Sequence, residues 1–190
     1  MVCLGIRFPA PGETLHAAGA SLRDEMARAL LGDAPPVTAL PGGKPVFAGG
    51  GAQFSIAHTV GCAVCAMSVP GPAADAPYPV LDASPEAPAL GADVETVRAS
   101  SQTPRLRRVA ERFFPPELKR PLRDTPDAAF PAAFAAAWTL CESAAKRTGE
   151  GFGERGFAGL SFTGLRAPML RLSHGGRDYV IRVCWRTAGV

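Results

Sequence analysis

Trp138-Thr139-Leu140-Cys141-Glu142-Ser143-Ala144-Ala145-Lys146 sits in a segment whose spacing predicts a long helix from about residue 128 to 148. Asp127 stands ready as its N-cap, Pro131 falls in the first turn where a missing N–H is tolerated, and Gly149 and Gly151 end it. Residues four apart on a helix share a face, so Trp138, Glu142 and Lys146 form one stripe. About 45 residues earlier comes Gly91-Ala92-Asp93-Val94-Glu95. Alternation along an extended segment puts Asp93 and Glu95 on one face. Three carboxylates on two elements, with a lysine one turn beyond the third, make an oxygen-donor set suited to Mg²⁺ beside a phosphate. The competing reading of Glu142 and Lys146 is a surface i,i+4 pair, worth about 0.2–0.5 kcal/mol. The apolar border of Trp138 and Cys141 favours a cleft wall instead.

Working outward, residues 2–8 read as a strand and residues 14–32 as a helix, with Leu15, Ala18, Leu22, Met26 and Leu30 at helical spacing. Pro35-Pro36 and Pro41-Gly42-Gly43 break the chain before Lys44-Pro45-Val46-Phe47. Phe54–Ala57 and residues 62–69 read as a hairpin. Residues 70–89, with six prolines, read as a loop or insertion. A basic helix is expected over 104–113, then a Pro-rich turn, the long helix, and a meander of strands over 156–163, 168–173 and 178–186. The result is an α+β chain of two blocks, 1–95 and 96–190, each a helix with a few strands.

The 190 residues are 47% hydrophobic, which excludes a disordered chain and supports a real core. No apolar run reaches the length of a membrane span, and no secretory signal is visible at the N-terminus, so a soluble cytoplasmic protein is expected. The five cysteines make no disulfide pattern. Cys62 and Cys65 lie in an apolar strand whose alternation sends them to opposite faces, so core packing is expected rather than zinc or redox chemistry. Charge is uneven: residues 1–95 carry a net −5 and residues 96–190 a net +8. Arg105, Arg107, Arg108, Arg112, Arg120 and Arg123 cluster into a stretch that reads either as a solvated helix face, the usual meaning of a charge run, or as a surface that steers an acidic partner. Nucleic acid is not expected, because no aromatic stacking motif accompanies them.

Taken in order, the motifs resemble one family. They are Gly43-Lys44-Pro45, Phe54-Ser55-Ile56-Ala57-His58-Thr59, Gly91-Ala92-Asp93-Val94-Glu95, Arg112-Phe113-Phe114 with Glu117, and Trp138 through Lys146 followed by Gly149-Glu150-Gly151. The series, over residues 40 to 151, resembles the Sfp-type 4′-phosphopantetheinyl transferases. That resemblance implies a monomer of two similar α+β halves related by a pseudo-twofold, with coenzyme A in the cleft between them. It implies transfer of the phosphopantetheine arm to a serine of an acyl or peptidyl carrier protein, releasing 3′,5′-ADP. By the same resemblance, Asp93, Glu95 and Glu142 bind Mg²⁺, and either Glu142 or a metal-bound water takes the serine proton. Lys146 meets the diphosphate, and Lys44 and His58 contact the phosphates of coenzyme A.

The chain departs from the family where Cys141 replaces the usual lysine before the glutamate, and where 70–89 lengthens the segment between His58 and Asp93. These departures carry a second reading, a catalytically impaired relative that binds coenzyme A or a carrier protein as a regulatory or assembly partner. On that reading Cys141→Lys partly restores turnover.

Overall fold

The computed structural model describes residues 1–71, 76–84, 87–149 and 156–186. Thr14 caps the first helix by accepting from the Ala17 amide, and Gly32, in the left-handed region, closes it: α1 spans Leu15–Leu31. Leu22, Met26 and Ala27 are its buried stripe. They pack on a four-stranded antiparallel sheet of β1 (Val2–Arg7), β4 (Gln53–Thr59), β5 (Cys62–Ser68) and β6 (Val80–Asp82), in the order β4-β5-β1-β6. A short hairpin of β2 (Val37–Ala39) and β3 (Pro45–Phe47) leads into β4. The expected β4–β5 hairpin is present, turning at Val60-Gly61 with Gly61 at φ 76°. Residues 70–89 are not loop throughout, because Val80–Asp82 pairs with β1.

The second sheet is β7 (Leu90–Thr96), β8 (Met169–His174) and β9 (Arg177–Trp185), in the antiparallel order β7-β9-β8. The acidic strand β7, which the sequence reading assigns to the first block, pairs along its length with β9. A 3₁₀ turn and α2 (Thr103–Phe113) follow it. The stretch read as a Pro-rich turn is a helix, α3 (Pro116–Arg123): a proline at the first position needs no amide partner. The long helix α4 is Phe130–Thr148, and Gly149 at φ 80° ends it. Asp127 is not its cap. The Asp127 carboxylate accepts two bonds from Arg107, at 3.1 and 2.7 Å, and the helix begins after Ala129. The strand expected over 156–163 is also absent. Gly156 and Gly164 have positive φ, and Phe157 turns inward as a plug against Phe114 and Trp138.

Three apolar layers result. Val2, Leu4, Cys62, Val64 and Ala66 of the first sheet share a core with Leu90, Ala92, Val94, Ile181 and Val183 of the second. The opposite face of the first sheet meets α1, and α4 packs with α2 and α3 over the aromatic cluster. Cys62 lies in the first layer and Cys65 in the second, so alternation does separate them. Burial pushes their thiols up to about 11 and about 12, as inert core groups. The edge strands β4 and β7 are joined by the Ser55 hydroxyl, which accepts from the Ala92 amide at 2.9 Å, and by Thr59 with Thr96 at 3.1 Å. No helix among the described residues is long and apolar enough to cross a membrane.

Candidate active site

Alternation in β7 turns Ala92 and Val94 into the shared core and Asp93 toward α4. Gly91 decides how close α4 comes. A Cβ there would fall 2.0 Å from the Ser143 carbonyl oxygen and 2.5 Å from the Arg147 nitrogen, so only glycine admits the helix backbone onto the strand. On α4, Ala137, Cys141, Ala144 and Ala145 are buried, while Trp138, Glu142 and Lys146 form a half-buried stripe as expected.

The two elements are also joined by an ion pair. Lys146 Nζ donates to Asp93 Oδ1 at 2.7 Å, and Asp93 is only 7% exposed. Burial pushes the Asp93 carboxyl up to about 7; Lys146 opposes that rise, while Glu142 and Glu95 add to it. Burial likewise raises Glu142, again opposed by Lys146 and reinforced by Glu95. Three carboxylates thus sense one another across β7 and α4. Glu95 carries a further partner that the sequence reading missed: Arg98 donates to its Oε1 at 3.1 Å. The Glu95-x-x-Arg98 spacing was the available signal.

Beside Lys146 lies a cavity of about 270 Å³. Its walls come from both ends of the chain: Gly43, Lys44, Phe54 and Ile56 on one side, Lys146 and Gly149 on the other. The Lys44 ammonium donates to the carbonyls of Arg147 at 2.8 Å and Leu90 at 3.3 Å, and burial lowers its pKa, with Arg147 adding to the effect. His58 is exposed on β4 and is not among the residues lining this cavity. At the other end of the stripe, Trp138 and Phe134 wall a second cavity of about 250 Å³ with Glu95, Arg98 and Arg105.

Cys141 is fully buried against the α2–α3 layer, off the half-buried stripe, and is not among the residues lining the cavity. The structure thus supplies a packing role for the cysteine. The arginine-rich region is partly self-neutralised: Arg107 pairs with Asp127, and Arg123 pairs with Glu111 through two bonds of 2.7 Å. Between these pairs a surface groove of about 540 Å³ is lined by Arg107, Arg108, Arg112 and Arg123.

Asp93, Glu95 and Glu142 are hard oxygen donors of the kind that suit a small divalent cation. As they stand, no three His, Cys, Asp or Glu among the described residues are gathered into a group able to hold one, and Lys146 engages Asp93. The donor chemistry fits a metal, with an ammonium in the position of counter-charge.

A family model, the 4′-phosphopantetheinyl transferase superfamily, matches residues 89–186, just over half of the chain. The chain belongs to that superfamily. No curated protein matches it. The matched stretch of this superfamily member holds β7, α4 and both remaining strands of the second sheet, and with them Asp93, Glu95, Glu142 and Lys146. Lys44 and His58 lie outside it. Of the Gly149-Glu150-Gly151 motif, the last two residues fall outside the described ones.

Proposed function

We propose that this protein transfers the 4′-phosphopantetheine arm of coenzyme A to a serine hydroxyl of an acyl or peptidyl carrier protein, releasing 3′,5′-ADP. One observation carries the reading: Lys146 touches a buried carboxylate on one side and lines, with Lys44, a two-sided cavity on the other. A dianionic diphosphate beside two ammonium groups, with Glu142 one helical turn away and Asp93 against Lys146, is the arrangement that phosphoryl transfer needs.

In this mechanism the diphosphate lies along the Lys44–Lys146 wall. Asp93 and Glu142, with Glu95 nearby, would hold Mg²⁺, which when bound neutralises charge on the diphosphate. Lys146 carries positive charge toward the same oxygens. Glu142, its basicity raised by burial, accepts the proton of the incoming serine as its oxygen bonds to the phosphorus of the pantetheine arm. The bond to the bridging oxygen of 3′,5′-ADP breaks in the same displacement. His58, exposed at the end of β4, contacts coenzyme A from outside the cavity. The arginine groove between α2 and α3 meets the acidic surface of the carrier.

The test is the intact mass of apo carrier proteins after incubation with the protein, coenzyme A and Mg²⁺. One added phosphopantetheine arm, lost with a chelator, is expected. No gain on any carrier, with coenzyme A still raising the melting temperature, would replace this reading with the binding-only relative.

A further inference from the structure

We infer that Lys44 is a positioning residue: its ammonium pins the C-terminal turn of α4 to the start of β7, and so holds Lys146 opposite Asp93. The inference deepens the transferase reading, in which Lys44 is otherwise a phosphate contact.

The pin begins with the turn before β3. The Gly43 amide donates to the Leu40 carbonyl at 2.8 Å and the Leu40 amide to the Lys44 carbonyl at 2.9 Å, with Gly43 at φ 80°. This tight turn presses on the end of α4: a Cβ on Gly42 would lie 3.0 Å from the Gly149 carbonyl oxygen. A Cβ on Gly149 would in turn meet the Lys44 stem at 3.5 Å. The last carbonyls of a helix have no partner within it, and the helix dipole makes them favourable sites for a cation. Lys44 meets one of them, that of Arg147, and the same nitrogen reaches the carbonyl of Leu90.

Those two carbonyls are informative by position. Leu90 opens β7, three residues before Asp93, and Arg147 follows Lys146 directly. One ammonium from the first sheet's side of the chain thus ties together the two elements that carry the ionic pair. An ammonium has three N–H bonds, and two of these are committed to main-chain oxygens, leaving one for a ligand in the cavity. A side chain whose only task was to meet phosphate would keep its donors for solvent and ligand.

The experiment compares Lys44→Met, which keeps the aliphatic stem, with Lys44→Arg. Hydrogen–deuterium exchange is followed on the ligand-free protein, and steady-state kinetics on an accepted carrier. Expected for Lys44→Met is about tenfold faster exchange at the amides of β7 and the last turn of α4, with α1 unchanged. kcat should fall by more than KM for coenzyme A rises, and Lys44→Arg should recover part of the local protection. Unchanged exchange with a rise in KM alone would overturn the inference and leave a phosphate contact. Faster exchange throughout, α1 included, would overturn it in favour of general stabilisation. Failure of the transferase reading is separate: wild-type protein would modify no carrier, while the exchange comparison would still decide the pin.

Discussion

α1 and α4 each lie on an antiparallel sheet, and each needs glycines to get there, but the glycines serve different ends. Under α1, a Cβ on Gly5 would meet the Met26 sulfur at 2.7 Å, and one on Gly19 would meet the Ile56 methyl at 2.7 Å. Side chains fill the gap, and the interface is an apolar seal of Leu22, Met26, Phe54 and Met67. Under α4, Gly91 meets the helix backbone itself, and what faces across is Asp93 and Lys146. The same plan gives a scaffold in one place and a charged cleft wall in the other. Chemistry follows from which residues the close approach brings together, not from the layering.

The largest test of that contrast is catalytic. Asp93→Ala and Glu142→Ala are each expected to cut carrier modification by about a thousandfold or more, with the circular dichroism spectrum unchanged. His58→Ala, on the α1 side of the molecule, is expected to cost about tenfold, mainly through KM. Equal losses for all three would dissolve the distinction between scaffold and site.

Part of that site could be read without coordinates. The α4 stripe follows from helical spacing and the orientation of Asp93 from strand alternation, because each is a local periodicity. Their meeting is not local: it depends on Gly91, whose demand is visible only once Ser143 lies over it. Arg107 takes Asp127 from 20 residues away, which removes the expected cap, and Lys44 reaches a carbonyl 103 residues on. No window along the chain holds both partners of such bonds. The strand expected over 156–163 failed for a related reason. Its hydrophobic residues were real, but Phe157 is buried by the aromatic cluster of α4, and glycines at positive φ turn the backbone around it. For α3, prolines signalled a turn, whereas at Pro116 the ring sits at a helix start.

A paired glycine comparison comes next in size. Gly91→Ala drives a methyl into backbone atoms that cannot rotate away, and should cost about 3 kcal/mol or more. Gly19→Ala brings its methyl within 2.7 Å of a methyl on the stiff, β-branched Ile56 but gains about 1 kcal/mol of helix propensity, so it should cost less than Gly91→Ala. Chemical denaturation of both variants measures the difference, and similar midpoints would mean that the two interfaces are equally tight.

Cys141 offers a third test, because the family resemblance and the packing disagree about it. A lysine there would carry an ammonium into the apolar cluster that α4 shares with α2 and α3. Cys141→Lys is therefore expected to lower stability by about 2–3 kcal/mol and to leave coenzyme A affinity unimproved. Tighter coenzyme A binding at an unchanged melting temperature would mean that the side chain escapes to the cavity after all.

The last comparison is the pH dependence of the ionic pair, which is read by its direction. In the folded protein, free of metal and ligand, Asp93 titrates at about 7, against an ordinary value of 3.8. Folding thus favours the protonated form. The stabilisation this confers is fully present below about pH 4 and is lost as the pH rises through 7. The value of about 7 already contains the opposing pull of Lys146, whose ammonium at 2.7 Å favours the charged carboxylate. Asp93→Asn keeps the shape and removes the titration. Its stability relative to wild type should therefore climb between pH 4 and 8 and level off above. Gly19→Ala, acting on the apolar interface, should show a difference from wild type that does not vary with pH. Calorimetry of wild type and both variants across that range makes the comparison. A flat difference for Asp93→Asn would mean that Asp93 is ionised throughout and that Lys146, rather than burial, governs the cleft.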